Sequence, residues 1–187
     1  RDEHGSAVTV QALPTEAWPD GSVRWALLDF CSAGSPPRER SYRIAIEPPA
    51  TDRPAGPRIA IVADSNGVVV DTGAATFAFA CGSAFPFARV TVGATEPLDA
   101  AHQPALVLTD TEGRETRATV TRVVVEQQGD VRSTVRIEGM AGGSRRAPLV
   151  DVIARVECFA GSGAARIAIT VRNPRRARHS GGLWELG

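Results

Sequence analysis

The sequence predicts an all-β chain. Short apolar runs alternate with period two, turn signals rich in Gly, Asn and Asp separate them, and no run carries the long 3.6-residue apolar period of a helix. Alternation sends successive side chains to opposite faces, so each run reads as a half-buried strand. In chain order these are Val8/Val10, Val23/Trp25/Leu27, Tyr42/Ile44/Ile46, Phe77/Phe79, Val90/Val92, Val131/Val135/Ile137 and Ile167/Ile169/Val171. The first two flank Pro19-Asp20-Gly21, where Pro fixes φ and Asp-Gly tolerates a tight reversal, so a hairpin is expected there. Later turns are expected at Asp64-Ser65-Asn66-Gly67, Thr111-Glu112-Gly113, Gln128-Gly129-Asp130, Gly142-Gly143 and Ala160-Gly161-Ser162-Gly163, a spacing suited to sandwiches and barrels. The clearest later hairpin joins 115–126 to 131–139.

Four prolines between Glu47 and Pro57 remove ladder N–H groups and mark a boundary. The expected units are 1–48, a Pro-rich linker at 49–57, and 58–187. Roughly four short strands precede the linker, few for an independent core, and roughly eight to ten follow it, enough for a two-sheet sandwich.

Composition narrows function. A chain of 187 residues buries roughly 70% of its unfolded surface and folds without staples. Arginine supplies all 21 basic residues against 21 acidic ones, so the net charge is zero and broad binding to nucleic acid or an anionic membrane is not indicated. No apolar run approaches the roughly 20 residues of a membrane helix, and no signal peptide opens the chain. Cys31, Cys81 and Cys158 are odd in number and far apart, which reads as buried free thiols rather than disulfides or a metal site. His4, His102 and His179 are dispersed without metal-ligand spacing, and serine-hydrolase, phosphate-loop and dinucleotide motifs do not occur. No cofactor is expected. Asp64-Ser65-Asn66-Gly67 carries half a calcium-loop pattern, but without the later ligands it reads as a hairpin turn.

One string goes further. Trp18-Pro19-Asp20-Gly21-Ser22-Val23-Arg24-Trp25, running into Ala26-Leu27-Leu28-Asp29-Phe30, resembles the N-terminal RIFT-type barrel of the exo-rhamnogalacturonan lyases of polysaccharide lyase family 26. Three later segments resemble the same family in the same order: Val70-Asp71-Thr72-Gly73-Ala74, Gly129-Asp130-Val131-Arg132, and 173–187 with Ala177, His179, Gly181, Gly182, Trp184, Glu185, Leu186 and Gly187. The resemblance implies a partial RIFT-type β-barrel to about Pro48 and an antiparallel β-sandwich from about Arg58. It also implies a C-terminal helical catalytic domain of the same protein as partner, with rhamnogalacturonan-type substrate, and no catalytic residue within this chain. Arg1-Asp2-Glu3-His4-Gly5 resembles the middle of a first hairpin, so an upstream strand is expected.

Three groups of residues carry candidate chemistry. Arg172, Arg175, Arg176, Arg178 and His179 concentrate cations in a Pro-interrupted stretch, and arginine grips carboxylates with two parallel donors, so an acidic polysaccharide or an acidic neighbouring domain would bind here. A solvated loop with local pairing ranks slightly ahead. Trp18 and Trp25 form an aromatic platform for a sugar ring if a two-residue Asp20-Gly21 loop sets them on one face; a three-residue loop pairs Trp18 with Ser22 and separates them. Burial of both in a core is preferred. An apolar strand feeding Asp71-Thr72-Gly73-Ala74 also resembles the catalytic loop of homodimeric retropepsin-type aspartic proteases, without their second apolar-Gly-Arg motif.

Overall fold

The computed structural model describes residues 1–31, 40–45, 56–98, 105–109, 112–144 and 147–174. Among them the chain is all-β, with thirteen strands in antiparallel sheets and no helix. β1 (Val10–Ala17) and β2 (Val23–Phe30) form a separate two-stranded ribbon. A five-stranded sheet follows in chain order: β3 (Ala60–Ala63), β4 (Gly67–Asp71), β5 (Ala75–Ala80), β6 (Arg89–Val92) and β7 (Thr95–Leu98). After the small pair β8 (Val107–Thr109) and β9 (Glu115–Arg117), a four-stranded sheet runs β10 (Thr119–Gln127), β11 (Arg132–Ser144), β12 (Ala147–Phe159) and β13 (Ala165–Arg172). Neighbours in sequence are neighbours in every sheet, because a short turn returns a strand beside the one it left.

The two larger sheets share one core. Val68 and Val70 of β4, Phe77 and Phe79 of β5, Val120 of β10, Val135 and Ile137 of β11, and Val152, Ala154 and Val156 of β12 are all buried. Each set follows the period of two, which is how one face of a strand becomes core. The connection after β5 adds Phe85 and Phe87; the Phe87 ring lies 5.4 Å from Phe79 and 6.1 Å from Phe77. Phe85 is held by its backbone, its N–H donating to the Ala118 carbonyl at 3.1 Å and its carbonyl accepting from Leu106 N–H at 3.2 Å.

Local turn chemistry follows expectation at the β3–β4 and β12–β13 joints, while the β4–β5 turn is not among those expected. Asp64 Oδ1 accepts from the N–H groups of Asn66 and Gly67, closing the β3–β4 turn. Asp71 Oδ1 accepts from Gly73 N–H, and the buried Thr72 hydroxyl accepts from Ala75 N–H at 3.0 Å and donates to the Ser162 carbonyl at 2.7 Å, tying the β4–β5 turn to the β12–β13 turn.

Other expectations are corrected. The alternation Tyr42/Ile44 makes no strand in 40–45, and Ile46 lies outside the described residues. A strand needs a ladder as well as a face, and here the main-chain bonds formed are the two that Arg43 exchanges with Arg1, while Ile44 stays 75% exposed. Gly142-Gly143 does not end a strand: β11 runs through it to Ser144, still paired with β12 from Ala141–Val150 to Ser144–Ala147. Of the cysteines only Cys158 is buried; Cys31 and Cys81 are exposed. Burial pushes the Cys158 thiol up to about 12, which keeps it protonated and unreactive. The described part of 1–48 is the ribbon and an irregular stretch, with no closed barrel.

The outer face of the four-stranded sheet is a ladder of charges. Arg155 grips Glu126 with two bonds of 2.6 and 2.9 Å, and Arg136 bridges to Glu138 at 2.9 Å. The Arg155 bonds hold Glu126 below the ordinary carboxylate value of 4.5, against a smaller opposing effect of burial. A carboxylate depressed in the folded state adds stability that is fully present above its unfolded value and disappears as pH falls through its folded one. Arg155→Gln is therefore expected to cost a small amount of stability above pH 4.5, a cost that shrinks towards zero in acid and at high salt. Urea unfolding of both proteins across that pH range checks this; a difference constant with pH would contradict it.

Candidate functional site

The ribbon tip settles the loop length. Gly21 N–H donates to the Trp18 carbonyl at 2.9 Å, Gly21 adopts φ +83°, and Trp18 N–H donates to the Ser22 carbonyl at 2.8 Å. This is a three-residue loop with a left-handed third residue, which glycine adopts without penalty. Asp20 Oδ1 accepts from the Ser22 hydroxyl at 2.6 Å and from Ser22 N–H at 2.9 Å, bonds that pull the Asp20 carboxyl below its ordinary value.

Trp18 thus stands opposite Ser22, and the Arg24 guanidinium lies over its ring at 4.5 Å while pairing with Glu16 at 2.8 Å. The register slips between Ala17–Val23 and Glu16–Trp25, so Arg24 is an extra residue and strict alternation does not carry from Trp18 to Trp25. Neither is core: Trp18 is 50% exposed and Trp25 62%. The expected burial fails because a two-stranded ribbon has no second layer among the described residues, so alternation sorts side chains without covering them. Leu13, Val23 and Leu27 are exposed too, as are Val10, Leu28 and Phe30.

At its open end the ribbon is clamped to the four-stranded sheet. Gln11 Oε1 accepts from Val131 N–H at 3.1 Å and from Arg132 N–H at 2.9 Å. Arg132, largely buried, donates from Nε to Asp29 Oδ2 and from Nη1 to Glu157 Oε1, both at 3.1 Å. A Cβ on Gly129 would overlap the Gln11 carboxamide. Gly129-Asp130-Val131-Arg132 is therefore a seat for the ribbon: Gly129 makes room, two N–H groups hold Gln11, and Arg132 spans the two units.

Beside this clamp lies a cleft of about 440 Å³, whose lining includes Asp2, Thr9, Cys31, Arg40, Tyr42 and Gly161. Phe30 of β2 holds the Tyr42 ring, with centroids 4.8 Å apart. The Cys31 thiol faces the Ala160 carbonyl at 3.6 Å.

The other sequence candidates do not converge. Arg172 pairs across strands with Asp151, Nη2 to Oδ2 at 2.6 Å, on a solvent-facing side chain. Arg175, Arg176, Arg178 and His179 lie outside the described residues, as does His102. Asp71 is exposed and its Oδ1 caps the β4–β5 turn. His4 is exposed beside Glu3. Among the described residues no three His, Cys, Asp or Glu side chains gather as a metal site. Sequence reasoning passed over Arg40, Tyr42 and Thr9, which carry no motif; the one signal was that Tyr42 is the single tyrosine. Comparison with known proteins finds no family model that matches the chain and no curated protein significantly similar to it.

Proposed function

We propose that the chain is the non-catalytic β region of a lyase-like carbohydrate-processing protein acting on a rhamnogalacturonan-type substrate, bracing a C-terminal helical catalytic domain. In this reading the ribbon belongs to a partial RIFT-type barrel, and the two larger sheets are a β-sandwich. One observation carries it: the ribbon exposes large apolar side chains on both faces, Trp25 and Leu27 on one and Leu28 and Phe30 on the other, while among the described residues its root is clamped. A ribbon that wet on both faces is marginal alone, and contiguous exposed apolar surface is what a docking element offers. The four ordered sequence resemblances supply the identity of the partner.

The test is an ultraviolet assay for unsaturated uronate released from rhamnogalacturonan, run on this chain and on the same chain joined to the helical domain. Release by the joined protein alone is the expected result, with Leu27→Ser lowering the joined protein's melting temperature more than that of the chain alone. Release by this chain alone would overturn the non-catalytic role, and release by neither would overturn the lyase assignment.

The exposure of Trp25 favours a second reading, a stand-alone glycan-binding module in which this ring stacks on a sugar. Loss of polysaccharide binding in Trp25→Ala without a change in melting temperature would select it. The aspartic-protease reading of Asp71 has no such support, since that carboxylate serves a turn.

A further inference from the structure

We infer that the cleft between the N-terminal segment and the β12–β13 turn is a binding site for a small carboxylate-bearing ligand with a hydroxylated ring, Arg40 holding the carboxylate. Its volume, about 440 Å³, falls within the roughly 300–1,000 Å³ typical of ligand pockets, and it lies where two structural units meet, a preferred place for them. Arg40 lines it with no hydrogen bond or ion pair among the described residues, although elsewhere Arg24, Arg132, Arg136, Arg155 and Arg172 all find carboxylates. The one acidic group on the lining, Asp2, turns Oδ1 to the N–H groups of His4 and Ser6 at 3.0 and 2.8 Å, and no ion pair joins it to Arg40. Arg40 thus brings to the cleft lining a planar guanidinium, the group that grips a carboxylate with two parallel bonds.

The remaining lining suits a ring rather than an aliphatic chain. Tyr42 supplies an aromatic face held in place by Phe30, with a hydroxyl that makes no hydrogen bond among the described residues, and Thr9 supplies a second hydroxyl. Gly56 and Gly161 line the cleft as well, and a Cβ on Gly56 would stand 3.6 Å from Thr9 Oγ1, so that stretch of backbone packs against the Thr9 side chain. The Gly161 position is tight by construction: φ is +71° and a Cβ there would meet Pro57 at 2.7 Å, so the wall cannot carry a bulkier residue without moving. The shared chemistry is a sugar acid, either free or at the end of a polymer.

Ligand-observed NMR titrations with galacturonate, with a galacturonate trimer, with neutral galactose and with inorganic phosphate test this. Galacturonate is expected to bind about tenfold or more tighter than galactose, and Arg40→Gln is expected to remove that preference while Arg40→Lys restores part of it. Tyr42→Phe is expected to weaken binding a few-fold. Tighter binding of the trimer assigns a polymer end, equal binding a free acid; both support the site. Arg40 is exposed, so its variants keep the wild-type melting temperature. Galacturonate binding unchanged by Arg40→Gln, equal binding of galactose, a preference for phosphate over every carboxylate, or no binding of any carboxylate would each overturn the site. In the first case binding lost instead in Trp25→Ala would leave the carbohydrate reading standing.

Discussion

Phe85→Ala is expected to destabilise the protein by about 3–5 kcal/mol, a large share of the roughly 5–15 kcal/mol that holds a typical domain together. Phe85 is fully buried on the connection between β5 and β6, so its ring reaches from one large sheet into the other. The far wall is built for it: a Cβ on Gly139 of β11 would stand 2.6 Å from the Phe85 ring and 3.0 Å from a Val152 methyl. Backbone bonds on both sides, to Ala118 and from Leu106, stop the connection from collapsing into the void that truncation leaves. The cost therefore contains the transfer of the ring to water and most of the cavity energy. Urea unfolding followed by far-ultraviolet circular dichroism measures it as one cooperative transition with unchanged slope. Phe30→Ala is the contrast, since Phe30 is 44% exposed on the ribbon, and it should cost well under half as much. Equal costs would mean that the two sheets do not share a common core.

What was legible in the sequence divides along a physical line. Period-two alternation reports which face of a strand is apolar, and where a second sheet covers that face, as over Phe77/Phe79 or Val135/Ile137, the expected burial follows. The same signal misleads where no layer arrives. Val23/Trp25/Leu27 alternates as well as any core strand and is exposed, and Tyr42/Ile44 alternates and forms no strand. Turn chemistry is local and was readable at Asp64, whose carboxylate bonds N–H groups within three residues, while the turn that Asp71 closes by the same chemistry was not among those expected. Gly142-Gly143 shows the limit, because glycine permits a reversal without requiring one. The cleft was illegible: Thr9, Arg40, Tyr42 and Gly161 come from separate parts of the chain, and nothing in their spacing shows that the ribbon clamp and the β12–β13 turn bring them together.

That clamp yields the second large effect. Gly129→Val is expected to release the ribbon from the four-stranded sheet at a cost of about 1–3 kcal/mol, without unfolding the sheet. Gly129 does not have a positive φ, so valine meets no backbone strain; it meets the Gln11 carboxamide, which must leave. Its departure strips the acceptor from Val131 N–H and Arg132 N–H together. Gln11→Ala removes the same two bonds from the other side, so the two substitutions share one mechanism. Their double mutant should cost little more than either alone, the non-additivity expected of a single interaction lost twice. Amide hydrogen exchange provides the spatial readout: protection should fall across β1 and β2 in all three variants and stay intact across β11 and β12. Additive costs, or exchange rising equally in both places, would show that Gly129 serves its own turn, where its N–H already donates to the Ser133 hydroxyl at 3.1 Å, rather than the ribbon. If the ribbon is what loosens, Phe30 loses its fixed position against Tyr42, and the aromatic wall of the cleft softens with it. The clamp at Gln11 and Arg132 thus couples an apolar docking ribbon to the shape of a polar cleft through the paired strands β1 and β2, where Val10 stands opposite Phe30 and Gln11 opposite Asp29.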